Sequence, residues 1–325
     1  MELAALTTLR LGGPAGSYVE ARDEAELIDA ARDAALVIAG GSNVVVADGG
    51  VPGRVVRIAT RGVERDGARL EVAAGEDWDA LVAGCVADGL QGFECLSGIP
   101  GSVGATPIQN VGAYGQEVAE TVVAVRVFDR STGRVEVMSP AECEFGYRTS
   151  VFKYHDRRVV LSVTFELREA TESGPLRYAE LARALGIEIG GSAPLADVRD
   201  AVLALRRGKG MVIDPADPDS VSAGSFFTNP ILDAAPDGAP AWPEGDGRVK
   251  TSAAWLIERA GFHRGYGNGR VGISSKHTLA LVNRGGATTA ELLALAHEIA
   301  AGVHDRFGIA LHPEPVLVGV DWEER

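Results

Sequence analysis

Between residues 20 and 40 the apolar positions fall first at helical and then at strand spacing. Asp23 stands as an N-cap, Leu27, Ile28 and Ala31 share one helical face, and residues 36–39 read as a short strand. Residues 55–74 read as two or three short strands. Asp77 then caps a helix whose apolar face is Trp78, Leu81, Val82, Cys85 and Val86, closed by Gly89. VVAVRVFDRSTGRVEVM (122–138) predicts a hairpin turning around Ser131 to Gly133. Ser139-Pro140-Ala141-Glu142 is a capping box with proline at the first helical position, and RVVLSVTFEL (158–167) is a further strand. From 169 to 194 the composition shifts to Gly, Ser, Glu and Ala, which predicts a boundary with a mobile insert. A helix from about Leu195 to Arg207 follows, then a proline-rich loop. DAAPDGAPAWPEGDG (233–247) is a low-complexity linker or a hairpin tip. TSAAWLIERAG (251–261) predicts a helix and TLALVN (278–283) a strand. Thr288 to Glu291 boxes the start of a helix with Leu292, Ala296, Ile299 and Val303 on one face.

Residues 97–115, SGIPGSVGATPIQNVGAYG, have no period at all. They hold five glycines and no charge, poor material for a packed element but suited to close backbone approach. Successive amides there can curl into an anion-binding concavity while Pro100 and Pro107 stiffen the turns. A dinucleotide pyrophosphate would fit such a loop, and a long glycine-rich surface loop is the alternative. Gly40, Gly41, Ser42 and Asn43 form a second donor-rich turn between two β-type runs, either another phosphate contact or a plain β-turn.

At 325 residues and 46% hydrophobic, the chain has room for two or three domains with sizeable cores. It shows no basic-then-apolar leader and no apolar run near 18 residues, so a cytoplasmic protein that meets no membrane is expected. A net charge of −14 argues against a nucleic-acid partner but allows an anionic small substrate where cations cluster. The only lysines are Lys153, Lys209, Lys250 and Lys276. Cys85, Cys95 and Cys143 are odd in number and lack CxxC spacing, so they are read as buried thiols. GNGRVG (267–272) matches GxGxxG but is followed by a β-like run instead of a helix, which removes the dinucleotide context. His297 and His304 lack acidic neighbours at ligand spacing, so no metal is expected.

AGGSN, GEDW, IPGSVGATPIQNVGAYG, FGYRTSVFK, GSFFTNP, VK-x-x-AAWLI and HPEP form an ordered series over most of the chain. The series resembles the UDP-N-acetylenolpyruvoylglucosamine reductase family (UDP-N-acetylmuramate dehydrogenase), type I branch. The resemblance implies an α+β fold, with a two-subdomain FAD-binding unit of the vanillyl-alcohol-oxidase (PCMH) type and a C-terminal α+β substrate domain. The division it suggests is 1–60, 61–194 with a tyrosine-bearing insert at 169–194, and 195–325 with a C-terminal segment returning to the active site. It implies an oxidoreductase of peptidoglycan synthesis, hence of cell wall biogenesis, cell shape and division. NADPH would reduce FAD, and UDP-N-acetylglucosamine enolpyruvate would become UDP-N-acetylmuramate, in a monomer.

By match of motif, FAD would be held by Gly40, Gly41, Ser42 and Asn43 and by Ile99, Pro100, Gly101, Ser102, Val103, Gly104, Pro107, Gln109, Asn110, Gly112, Ala113 and Tyr114. Arg148, Ser225 and Glu314 would be catalytic, and Tyr178, Lys209 and Asn229 would contact the substrate. The chemistry suits these types. Hydride addition to an enolpyruvyl ether leaves an enolate, which a fixed cation or donor pair must stabilise and an acid must protonate. Oxidases of the same fold often tether FAD through a histidine in the first domain, but here none precedes His155, so non-covalent FAD is expected. A colourless nucleotide-sugar binding protein is the rival from another class.

Overall fold

The predicted caps form. Asp23 accepts from the Glu26 amide at 2.9 Å and opens the helix Glu24–Ala31, and Asp77 accepts from Ala80 at 2.8 Å and opens Trp78–Ala87. Each satisfies an amide that a helix start leaves without an intrahelical acceptor. Reciprocal boxes join Ser139 to Glu142 and Thr288 to Glu291 at the starts of Pro140–Cys143 and Thr289–Phe307. The computed structural model describes residues 1–322, whose contacts divide into two units.

The first unit holds residue 1, Ala15–Gly41 and Val51–Gly208. In its parallel three-stranded sheet, Val51–Ile58 lies between Ala15–Ala21 and Leu36–Ile38, with Val55 opposite both Tyr18 and Leu36. A five-stranded antiparallel sheet runs in the order Arg134–Met138, Val122–Asp129, Arg158–Glu166, Arg69–Ala73, Val63–Asp66. Arg158–Glu166 is buried along nearly all its length, so this strand is covered on both faces. Val163 and Phe165 join Trp78 and Phe93 in one core, while Val159, Leu161 and Phe128 meet Leu27 and Ala31 in another. A register shift opposite Arg126 and Val127 lets the in-out alternation change phase between those two sets. In the larger core the Phe93 ring meets Trp78 at 4.8 Å and Phe165 at 5.0 Å, both edge-on.

A smaller core joins Cys95 to Leu176, to Leu181 of the helix Ala179–Ala184, to Ala193, and to Val198 and Val202 of Leu195–Gly208. The 169–194 stretch, expected from composition to be a mobile insert, contributes Leu176, Leu181 and Ala193 to this core. The helix that the sequence division gives to the substrate domain groups with the first unit, and the boundary falls after Gly208. Its Val198 and Val202, four residues apart and so on one helical face, are buried in this core.

The second unit holds Glu2–Pro14, Ser42–Gly50 and the described residues from Lys209 on. Its main sheet orders Ser222–Ser225, Ala280–Asn283 and Val271–Ile273. The helices Ala253–Arg259 and Thr289–Phe307 cover it with Leu256, Ile257, Leu292, Ala296, Ile299 and Val303. Two short segments that the sequence division puts in 1–60 supply Leu9, Leu11 and Val45 to this core. Asp48 fixes one of them by accepting from the amides of Thr289 at 2.7 Å and Ala290 at 3.0 Å, at the positive end of the long helix. Val316–Val318 pairs in parallel with Val44–Val46. Residues 233–247 lead into a hairpin in which Ala241–Pro243 pairs with Val249–Thr251. The GNGRVG run is a tight turn closed by a Gly267–Gly272 bridge. Among the described residues, no helix is long and apolar enough to cross a membrane.

Candidate active site

In the first unit the two glycine-rich turns meet. A methyl carbon placed on Gly40 would lie 3.3 Å from the Ser102 nitrogen and only 2.6 Å from Gly101 Cα, the latter closer than a side chain allows. Among the described residues, the amides of Gly41, Gly101 and Ser102 find no backbone acceptor. Ser102 is 6% exposed, and its buried hydroxyl has no hydrogen-bond partner among the described residues. Burying such donors without acceptors costs free energy, and a cradle of this kind suits an anionic group, above all a phosphate. A dinucleotide diphosphate therefore fits the residues present.

The rest of the 99–114 loop anchors this cradle. Val103 donates its amide to Glu76 O at 2.9 Å and Gly104 donates to Ala74 O at 2.8 Å, so these two hold the loop to the segment before Trp78 instead of offering amides to a ligand. Gly104 must be glycine, because an added carbon would sit 2.5 Å from Ala74 Cβ. Pro107 is buried, whereas Ile99, Pro100 and Gln109 are half-buried. Asn110 is 2% exposed, and its Nδ2 donates to Glu117 Oε2 at 2.8 Å and to Gly146 O at 3.1 Å, while its Oδ1 accepts from Ala119.

Gly112–Ala113 pairs with Gln116–Glu117 around the two-residue turn Tyr114-Gly115, and both turn residues have positive φ. Asn110, Tyr114 and Arg148 have φ of 46°, 50° and 53°, a region that side chains other than glycine enter at a cost of roughly 1–2 kcal/mol. Three motif residues within one loop system are held in such a state. Burial pushes the Tyr114 hydroxyl up to about 12, so it is a donor at neutral pH. Its ring meets Tyr178 edge-on at 5.4 Å, and Tyr178 is 43% exposed just before the helix Ala179–Ala184.

Segment 146–153 locks onto the same loop. Arg148 Nη2 donates to Gly112 O at 2.6 Å, Ser150 Oγ donates to Ile108 O at 2.7 Å, and the buried Lys153 Nζ donates to Arg148 O at 3.0 Å. The Arg148 guanidinium also lies over the Tyr147 ring at 5.4 Å. The two motifs 36 residues apart are one structure, held by direct bonds.

In the second unit Ser225, Asn229 and Glu314 lie on or beside two adjacent segments, 225–229 and 312–314. Gly224, with φ of 75°, lies within Ser222–Ser225, where the pairing with Ala280–Asn283 shifts register just before Ser225. The Phe226 amide then donates to Leu279 O at 2.7 Å, and the Phe226 carbonyl accepts the Glu314 amide at 2.8 Å. Phe227 bridges Pro313, and the Thr228 amide donates to His312 O at 3.1 Å, so Ser225 and Glu314 stand on neighbouring strand-like runs. Phe226 and Phe227 are 1% exposed and make the floor rigid. Asn43 Nδ2 donates to Glu314 O at 3.4 Å, and the Val316 amide to Asn43 O at 3.0 Å. Asn229 Oδ1 accepts from the Ala253 amide at 3.0 Å, which leaves its Nδ2 as the group it can offer a substrate. Lys209 opens this unit, followed by Gly210, whose φ of 67° and close approach to Asp219 exclude a side chain. Lys276 is paired with Asp217 at 2.8 Å.

Sequence reasoning passed over Asp79 and Arg199, which join at 2.6 and 3.0 Å across 120 residues. No local signal announces such a pair. The cysteines are buried free thiols, with Cys85 and Cys95 pushed up to about 12 and Cys143 to about 11 by burial.

The FAD binding domain family matches residues 15–139, and the C-terminal domain family of UDP-N-acetylenolpyruvoylglucosamine reductase matches 215–318. The enzyme of that name from Thermobifida fusca is 58% identical over 98% of this chain and 97% of its own. That of Streptomyces coelicolor is 57% identical over 98% and 89%. The crystal structure of UDP-N-acetylenolpyruvylglucosamine reductase (MurB) from Thermus caldophilus superposes with a TM-score of 0.70 at 29% identity, over 98% of this chain and 97% of that one. With its FAD-binding domain, its α+β fold and a match that runs the length of the sequence, the chain belongs to the UDP-N-acetylenolpyruvoylglucosamine reductase family of flavoprotein oxidoreductases.

Proposed function

We propose that this chain converts UDP-N-acetylglucosamine enolpyruvate to UDP-N-acetylmuramate with NADPH as reductant and FAD bound non-covalently, as a cytoplasmic monomer in peptidoglycan synthesis. Bound FAD would supply hydride chemistry, taking hydride from NADPH and passing it to the terminal carbon of the enolpyruvyl double bond. The residues then have to manage charge and one proton. Hydride arrival places negative charge on the adjacent carbon and its carboxylate. Arg148 meets that charge as a fixed cation, and Glu314 meets it as a hydrogen-bond donor, which requires its carboxyl to be protonated. Ser225 gives its hydroxyl proton to the enolate carbon and recovers one from solvent, so the product gains one hydride and one proton across the double bond. Serine is a weak acid, and it suffices because the carbanion is strongly basic.

Lys209 and the Asn229 amide serve the UDP diphosphate, and Tyr178 the nucleotide end. Gly40 to Asn43 and the 99–114 loop hold FAD. The observation that carries the catalytic part is the pairing of 226–228 with 312–314, which sets Ser225 and Glu314 on neighbouring runs over a buried Phe226–Phe227 floor.

The test is Ser225→Ala in stopped flow. Flavin bleaching by NADPH is expected at the wild-type rate, while reoxidation by the enolpyruvyl substrate slows by about two to four orders of magnitude, the usual range for loss of a general acid. Wild-type reoxidation in this variant would assign the proton to another group.

A further inference from the structure

Asp79 stands in the first turn of Trp78–Ala87, and no role above uses it. Its Oδ1 accepts from Arg199 Nη1 at 2.6 Å and its Oδ2 from Arg199 Nη2 at 3.0 Å, while Oδ1 also accepts the Gly98 amide at 2.6 Å. The two side chains are 34% and 16% exposed, so this bidentate pair is largely withdrawn from water, where charge-assisted bonds hold best. Gly98 has a φ of 71° and leads directly into the 99–114 loop. It is anchored from behind by the buried Ser97, whose hydroxyl donates to Glu94 O at 2.7 Å. The Asp79 carboxylate therefore ties the start of the loop to the helix Leu195–Gly208.

That helix reaches the other end of the loop as well. Arg206 lies seven residues beyond Arg199, two turns on and thus on the same face. It is 8% exposed, and its charge acts on both the Tyr114 hydroxyl and Asp79. One helix thus braces the cradle at Gly98 and faces it at Tyr114.

We propose that Asp79 and Arg199 are positioning residues for the cofactor, holding Gly98 so that the amides of Gly101 and Ser102 keep the spacing a diphosphate requires. The inference rests on the reading that FAD occupies this loop. A loop fixed before binding loses less freedom when the ligand arrives, so the clamp acts on affinity as well as on folding. Asp79→Asn keeps the size and one acceptor but removes the charge. Arg199→Gln removes the partner, and Arg199→Lys keeps the charge without the fork.

FAD titrated into apoprotein, read by quenching of flavin fluorescence, gives the dissociation constant, and melting of each apoprotein reports folding separately. Asp79→Asn and Arg199→Gln should each weaken FAD roughly ten- to hundred-fold, as expected for hydrogen bonds to charged groups. Arg199→Lys should fall between them and wild type. The double variant should be no weaker than the worse single one, because the two residues act as a unit. Asp200→Asn, on the exposed side of the same helix, should bind as wild type. Should Asp79→Asn not fold, the two Arg199 variants carry the test. Folded variants that bind FAD within twofold of wild type overturn the inference, as does equal weakening by Asp200→Asn. Wild-type apoprotein that takes up no FAD overturns the cofactor reading itself.

Discussion

Gly40→Ala isolates what the meeting of the two glycine-rich turns is for. Gly40 does not have a left-handed φ, so alanine adds no backbone strain and the effect is steric alone. The new carbon would start 2.6 Å from Gly101 Cα and 3.0 Å from its carbonyl carbon. Carbon atoms in contact prefer about 3.5–4.0 Å, so the Gly101 turn must retreat by about 1 Å. Overpacking of this size typically costs about 1–3 kcal/mol. The apoprotein escapes part of that cost by letting the turn move, whereas in the proposed FAD complex the Gly101 and Ser102 amides would have to stay on the diphosphate. If most of the cost falls on the complex, FAD binding weakens by roughly ten- to hundred-fold at about 1.4 kcal/mol per decade. Titration of FAD into apoprotein with fluorescence detection measures this, and melting of the apoprotein measures the part the fold absorbs. Wild-type affinity in a folded Gly40→Ala protein would refute the cradle.

Two further outcomes test the fold. Gly84 lies exposed inside the helix Trp78–Ala87 with nothing near a added methyl group, so Gly84→Ala should stabilise the protein by about 0.5–1 kcal/mol in denaturant titration and leave FAD affinity alone. The Asp129 side chain is wholly buried; it accepts from Arg157 Nε at 2.8 Å, from the Ser131 hydroxyl at 2.6 Å and from the amides of Ser131 and Thr132, which hold its carboxyl well below the usual range. A depressed folded pKa contributes stability that is complete above the unfolded value of about 3.9 and fades as pH falls through the folded one. Asp129→Asn should therefore cost about 2 kcal/mol at pH 7 and flatten the stability curve below about pH 4, and an unchanged acid limb would remove Asp129 from the account.

What could be read from the sequence divides by the range of the interactions. The caps at Asp23, Asp77, Ser139 and Thr288 were legible because donor and acceptor lie within three residues of each other. The hairpin at 122–138 was legible because its turn holds Gly133, with φ of 70°. The strand Ala15–Ala21 was not, since it shows little alternation in burial and exists by parallel pairing with Val51–Ile58. Nor could the sequence assign 2–14 and 42–50 to the second unit, a grouping made by Leu9, Leu11 and Val45 in a core otherwise built from residues beyond 220. At 169–194 composition showed the many small polar residues but not that Leu176, Leu181 and Ala193 share a core with Val198 and Val202. Within the proposed site, the motifs did not reveal the division of labour among their residues. Val103, Gly104 and Asn110 spend their polar groups on the protein, while Ser102 keeps a buried hydroxyl with no partner among the described residues.

The anaerobic visible spectrum of the purified protein tests the proposed reaction most directly. NADPH should bleach the flavin band, and UDP-N-acetylglucosamine enolpyruvate added next should restore it with formation of UDP-N-acetylmuramate. A band that bleaches but returns only on admission of oxygen would contradict the proposed substrate.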